Sequence, residues 1–319
     1  MRLNWELLYN DNSDFFPRML SFEQKDNSRF RYGVNERLEH CLFFYFNPNP
    51  ANSVIEPVKL ANISLHEIVA GGKPALVLTL LNSNLKNLFD DLIISMVNHY
   101  ISISAVSKKD IIALCNEWFE LFEPSYNSLS TGDLQGIFAE VYFLQFLLQN
   151  SGSDVNMILQ SWQGPYGTGH DFELGNNLFE VKSRKQGFST VRISSEYQMD
   201  YLSGQNLFLV VCDFSEENGD GTSISQLILD TVSAIRTHSG ANINLFWTAL
   251  GRLKLGYSNL DDYNKILFSL TSANAYNCCD PVFPSIRRSG IPDSIRKVKY
   301  ELALDSLPSL KLSELKPLL

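Results

Sequence analysis

No stretch of this chain narrows its fold more than "NLFLVVCDF" at 206–214. Side chains on a strand alternate between two faces, and here both sets are apolar, so both faces must be covered. Such a strand belongs inside a layered α/β fold rather than at a bare surface. The flanking sequence predicts helices. "DLQGIFAEVYFLQFLLQN" predicts an apolar helix over 133–150, and "SISQLILDTVSAIRTH" places Ile224, Leu227, Ile228, Thr231, Val232 and Ile235 on one helical face. Between the first helix and the 206–214 strand, "VNMILQSW" predicts a strand near 155–162. "HDFELGNNLFEVKSRK" predicts a hairpin over 169–183, "TVRISS" a further strand, and "EYQMDYL" a short helix near 195–203.

The first hundred residues predict an α+β module. "HCLFFYF" reads as a strand, and "ISLHEIV" and "ALVLTLL" around "AGGKP" as a hairpin. Leu85, Leu88, Phe89, Leu92, Ile93, Met96, Val97 and Tyr100 then recur at helical spacing. A second helix begins near Ser107, which with Asp110 forms an Asp version of a capping box; "EPSYNSLSTGD" is a loop. "INLFWTALGRLKL" reads as a helix, and "KILFSLTSA" and "KVKYELAL" as strands. The expected organisation is an N-terminal α+β module at 1–106, an α/β core at 107–255 and a C-terminal extension at 256–319 whose strands pack on the core.

Composition excludes several classes. An apolar fraction of 45% and a charged fraction of 19% suit a globular protein. No apolar run could span a bilayer, and the acidic start "MRLNWELLYNDNSDFFPR" lacks the apolar stretch of a secretion signal. The five cysteines are odd in number and scattered, with only an adjacent pair in "CCD", which points to free thiols in a reducing cytoplasm. A net charge of −9 argues against a generally basic nucleic-acid binder, but two local basic clusters stand out. One is Lys182, Arg184, Lys185 and Arg192; the other is Arg287, Arg288, Arg296, Lys297 and Lys299. Solvated surface charge explains either cluster equally simply.

The candidate chemistry lies in the hairpin. "ELGNN" supplies a turn, with Gly175, Asn176 and Asn177 suited to positive φ. Glu180 and Lys182 share one strand face, while Phe179 and Val181 take the other. Folding at the turn brings Asp171 level with Glu180, so two carboxylates and a lysine meet at a sheet edge. That set suits phosphodiester hydrolysis. Mg²⁺ prefers oxygen ligands and takes one or two carboxylates plus waters, and an ammonium beside it can orient the attacking water. The same spacing fits an ordinary surface ion-pair array.

Glu140 bears on the choice. It stands in "GIFAEVYFLQFLL", with Gly136, Ile137, Phe143 and Leu144 as helical neighbours, where a carboxylate needs a partner or a metal. An Arg or Tyr partner in the core is the structural alternative to a third acid aimed at the hairpin. "GPYGTG" lacks the Lys-Ser/Thr ending of a phosphate loop and reads instead as a close approach of the chain to the site. His170 points away from Asp171 and reads as structural; His40, His66, His99 and His238 are isolated, and no G-x-S-x-G elbow marks a nucleophile. Gln198 and Tyr201 follow the hairpin, where a Gln could bind a phosphate or lie on an exposed polar face.

Glu140 on a helix, then Asp171, then Glu180-Val181-Lys182 resembles the PD-(D/E)XK nuclease superfamily, with His170 in place of the motif's Pro. The segments "LQGIFAEVYFL", "W…HDFE", "FEVKS" and "Y…VFPSI…GIPDSIRKVKYEL" are together similar to a bacterial family named for its PD-(D/E)XK motif, over most of the chain. That resemblance implies an αβββαβ core with a mixed sheet flanked by helices. It implies metal-dependent cleavage of double-stranded DNA with Mg²⁺, or Mn²⁺ as substitute, in a restriction or phage-defence setting. Carried over, Asp171, Glu180 and the Val181 carbonyl would hold the metal, Lys182 would position the attacking water, and Glu140 would hold a metal-bound water or second ion. Ser183, Arg184, Lys185 and Gln198 would lie beside the scissile phosphate. A homodimer and other defence subunits are the implied partners. The competing readings are a catalytically inactive DNA-binding or scaffold subunit on the same fold, and a protein-interaction module built on the N-terminal region.

Overall fold

A computed structural model of the chain describes residues 3–10, 14–22, 29–47, 56–100, 103, 106–122, 128–215 and 221–318. Its contacts divide the chain into two compact units. One comprises residues 1–126, 242–251 and 256–259; the other comprises 127–241, 252–255 and 260–319. Among the described residues, no helix is long and apolar enough to cross a membrane.

The first unit opens with α1 (Glu6–Tyr9) and carries strands β1 (Arg18–Leu20), β2 (Phe30–Val34), β3 (His40–Tyr45), β4 (Val58–Lys59), β5 (Ile63–Ala70) and β6 (Lys73–Leu80). They form one antiparallel sheet in the order β1-β2-β3-β6-β5-β4. The strand expected from "HCLFFYF" is β3. The expected hairpin is β5–β6, turned by Gly71 and Gly72 at φ 58 and 78, values only glycine adopts freely. Helix α2 (Lys86–Tyr100) buries Leu88, Phe89, Leu92, Ile93, Met96 and Val97, the face its periodicity predicted. Helix α3 (Lys108–Phe122) starts where Ser107 N donates to Asp110 Oδ2 at 2.8 Å and Asp110 N donates back to Ser107 Oγ at 3.3 Å. The first five residues of the loop expected over 123–133 lie outside the described residues.

The second unit begins with α4 (Thr131–Asn150), whose Ser130–Asp133 capping box satisfies its first backbone donors. The expected strand at 155–162 is instead a helix, α5 (Val155–Ser161). Asp154 caps it, accepting from Asn156 N (2.8 Å) and Met157 N (3.4 Å), and Val155, Ile158 and Leu159 are buried at helical spacing while Met157 stays exposed. A capped turn with that spacing satisfies its own backbone, which an isolated strand could not. The hairpin follows as β7 (Phe172–Leu174) and β8 (Asn177–Lys185), turned at Gly175 with φ 62. Strand β9 (Thr190–Ile193) forms as expected. The helix expected near 195–203 is absent. Two successive turns replace it, with Gln198 N donating to Ser195 O, Asp200 N to Tyr197 O, and Ser194 N to the Gln198 side chain.

Strand β10 (Asn206–Ser215) runs parallel to β8, with Leu209 level with Glu180 and Val211 with Lys182. After β11 (Thr222–Ser223), α6 (Ile224–Thr237) and α7 (Ile243–Arg252, counted almost wholly with the first unit), strand β12 (Leu267–Asn277) pairs antiparallel with β10. The mixed sheet runs β11-β12-β10-β8-β7, while β13 (Tyr300–Ala303) pairs with β9 as a separate ribbon and β14 (Leu310–Lys311) joins β12. This is the mixed α/β class expected. Eight of the ten residues of β10, Leu207 through Phe214, are buried, as the double-parity apolar pattern requires. One sheet face packs on α4 through Phe179–Phe143 (centroids 5.0 Å) and Phe214–Phe138 (5.6 Å). The other face holds Leu178, Leu207, Leu209, Val211 and Tyr276 in a second apolar cluster. All five cysteines are free, and four are buried.

Candidate active site at the open edge of the central hairpin

Strand β7 is only three residues long, so its pairing with β8 stops at Phe172–Phe179. From Glu180 onward, β8 pairs with no strand on that side among the described residues. Asp171 takes the place of the missing strand: Val181 N donates to its Oδ2 at 2.8 Å. The N–H and C=O of one residue in an extended strand point to the same edge, so the Val181 carbonyl faces this opening too. Asp171 is itself fixed from behind, because its carbonyl accepts from Gln163 N (2.7 Å) and Gly164 N (3.0 Å). Asp171 is therefore held by two different segments, its side chain by Val181 and its carbonyl by residues 163 and 164.

Glu180 is 1% exposed, and Lys182 Nζ reaches its Oε1 at 2.5 Å along the same strand face. Glu140 arrives from α4. Its partner is neither the arginine nor the tyrosine that a core role suggested, but the indole of Trp162, whose Nε1 donates to Glu140 Oε2 at 2.7 Å. The loop after Trp162 closes the cluster. A Cβ on residue 164 would stand 2.6 Å from Glu140 Oε2 and 3.0 Å from Asp171 Oδ1, so any larger residue there would push the carboxylates aside. This is the close approach that the glycine loop suggested. In the sequence Trp162 stands out only as part of a family pattern. Its role depends on a bond across 22 positions that no local spacing reveals.

The charges do not balance. Three carboxylates, Glu140, Asp171 and Glu180, face one ammonium, and Glu140 and Glu180 each feel the charge of Asp171. Burial and then the Asp171 charge push Glu140 up to about 8, against the pull of the Trp162 bond and Lys182. Glu180 is pushed up to about 8 by burial and by Asp171, with Lys182 pulling it back. Burial raises Asp171 as well. Burial alone would lower Lys182, but the attraction of Glu180, Asp171 and Glu140 raises it, so it keeps its proton. The cluster holds more negative charge than it can neutralise, and it takes up protons in compensation.

These donors suit a hard divalent cation. All are oxygens, their excess negative charge is what a cation offsets, and Gly164 leaves the space over Glu140 and Asp171 clear. Among the described residues no three His, Cys, Asp or Glu side chains converge closely enough to enclose an ion by themselves. Mg²⁺ does not ask for that, since it is held by one or two carboxylates and keeps several waters.

The other residues singled out in the sequence lie differently. Arg184 is turned away to Asp213, its Nε 2.5 Å from Oδ1. Ser183 is half-buried and Lys185 exposed at the end of β8. Gln198 closes a turn, with Ser194 N donating to its Oε1 at 2.7 Å. His170 is 9% exposed, and burial lowers its pKa, in keeping with a structural role.

A family model described as "Putative PD-(D/E)XK family member" matches residues 1–305, and the chain belongs to that family. No curated protein and no solved structure matches it. Membership fits a nuclease-like role, and nucleases of the PD-(D/E)XK type generally use divalent metals.

Proposed function

Starting from that family, we propose that the protein is a metal-dependent DNA endonuclease, with Mg²⁺ as cofactor and duplex DNA as substrate, serving restriction or phage defence. One observation carries the reading: three carboxylates and one lysine meet at the unpaired edge of β8 with uncompensated negative charge. Asp171, Glu180 and the Val181 carbonyl hold the cation. Bound there, Mg²⁺ supplies an electrophile for the scissile phosphate and lowers the pKa of water in its shell. Lys182 keeps a positive charge on the strand face it shares with Glu180, where it orients the attacking water and offsets charge building on the phosphate. Glu140, aimed by Trp162, accepts hydrogen bonds from water on the opposite side of the cluster. Cutting both strands of a duplex calls for two such sites, which a homodimer provides.

The test is cleavage of supercoiled, linear, methylated and unmethylated DNA with Mg²⁺ or Mn²⁺. Lys182→Ala should lower the rate by roughly 10²–10³, the usual cost of losing one preorganised charge-stabilising group. Glu180→Ala should abolish metal-dependent cleavage, and both variants should keep the wild-type circular dichroism. If the wild type leaves every substrate intact with either ion, the catalytic reading fails. Metal-independent DNA binding that survives substitution of all three acids would then assign the chain as an inactive DNA-binding subunit.

A further inference from the structure

The second basic cluster of the sequence has no part in the site described above. Residues 287–299 carry five positive side chains and one negative one, Asp293, in a chain whose net charge is −9. They form an irregular strap that leads into β13, which pairs with β9 from Tyr300–Ile193 to Ala303–Thr190. The strap is braced at three points. Arg287 lies over the Tyr201 ring at 3.9 Å and donates to its hydroxyl. Arg288 pairs with Asp293 at 2.9 Å and donates to the Ile295 carbonyl at 3.1 Å. Glu196, 4% exposed, accepts from the backbone of Lys297 (3.3 Å) and Val298 (3.0 Å).

The third brace carries the argument. Lys297 sits at φ 59, a left-handed conformation that costs a residue with a Cβ. A buried carboxylate spends both its oxygens holding that turn. The outcome is that Arg296, Lys297 and Lys299 all stand exposed, and among the described residues none of the three is ion-paired. A solvated run of charge needs no buried clamp or strained turn. The strap also lies beside the hairpin: Tyr201, under Arg287, lines a cavity of about 210 Å³ with Gly169 and His170, the residues just before Asp171.

We propose that the 287–299 strap is the surface that grips the nucleic-acid backbone, with Arg296, Lys297 and Lys299 as phosphate contacts and Glu196 as the residue that positions them. The proposal rests on the DNA reading above and adds to it where the backbone is held. Phosphate contacts release counterions, so they are counted by the dependence of binding on salt.

The test is fluorescence anisotropy of the full chain with a 30-base-pair duplex from about 50 to 200 mM salt, in EDTA so that cleavage plays no part. Arg296→Gln, Lys297→Asn and Lys299→Gln together should reduce the slope of log K against log salt by about 2.7, at roughly 0.9 per phosphate contact. Asn is chosen at 297 because it tolerates the left-handed backbone. The single variants Arg296→Gln and Lys299→Gln should each reduce the slope by about 0.9, which guards against misfolding of the triple variant. Lys73→Gln, Lys109→Gln and Lys265→Gln change the net charge equally at exposed positions elsewhere and should leave the slope unchanged. If the wild type binds duplex and the strap variants keep its slope, the strap assignment is wrong and the DNA reading stands. If the wild type shows no salt-dependent binding, both fall.

Discussion

Two charged clusters lie four residues apart on one face of β8, and they are built on opposite principles. At Arg184, one guanidinium meets one carboxylate: Nε reaches Asp213 Oδ1 at 2.5 Å, and Ser272 Oγ donates to Oδ2 at 2.6 Å. The Asp213 carbonyl takes a further bond from Thr271 at 3.0 Å. At Glu180, one ammonium meets three carboxylates, and the acids respond by holding protons far above their usual range. The strand, sheet and burial are shared; only the charge count differs. A buried pair whose charges cancel belongs to the architecture, whereas a buried cluster in deficit of positive charge leaves a place for a cation. The comparison also bears on Arg184, which the family resemblance puts beside the scissile phosphate: its Nε is already met by Asp213.

The largest expected effect tests the balanced cluster. Asp213→Ala leaves Arg184 buried without its anion and should cost about 3–5 kcal/mol in urea unfolding, while Arg184→Met with Asp213→Leu should come back close to the wild type. An Asp213→Ala protein of unchanged stability would mean that the pair is not structural. The next effect tests the unbalanced cluster. Gly164→Ala places a methyl group 2.6 Å from Glu140 Oε2 at a φ that alanine tolerates, so folding should persist while cleavage drops by roughly 10², the scale of an ångström-sized displacement. A fully active Gly164→Ala enzyme would show that the carboxylates need no such clearance.

The smallest effect is in pH. Glu180 titrates near 8 in the folded chain against an ordinary 4.5, so the folded state holds the extra proton between those values. Stability of the metal-free protein should therefore fall as pH rises from about 4.5 to about 8 and then level off. Glu180→Gln should flatten that decline, whereas Asp213→Ala should not. Thermal midpoints of both variants between pH 5 and pH 9, in EDTA, make the distinction. A decline as steep in Glu180→Gln as in the wild type would place the uncompensated charge elsewhere.

Much of the architecture was legible before any coordinates. The double-parity run at 206–214 demanded a strand covered on both faces, and β10 is one. The Gly-Asn turn fixed the hairpin, which set Asp171 level with Glu180 and put Glu180 and Lys182 on one face. Local errors arose where two short-range signals competed. "VNMILQSW" carries strand-forming residues, yet Asp154 caps it as a helix, and "EYQMDYL" forms two successive turns instead of a helix.

What the sequence determined by itself was the identity and spacing of the groups on the hairpin, because those follow from strand alternation and turn chemistry, which act over a few residues. What only the tertiary structure decided was which charges are compensated. Trp162 reaches Glu140 across 22 positions, Arg184 reaches Asp213 across 29, and Glu196 holds Lys297 across 101. Electrostatic balance depends on distance and burial in three dimensions, so a carboxylate in excess of its counter-charge and one that already has its partner look alike in sequence until the fold brings their neighbours to them.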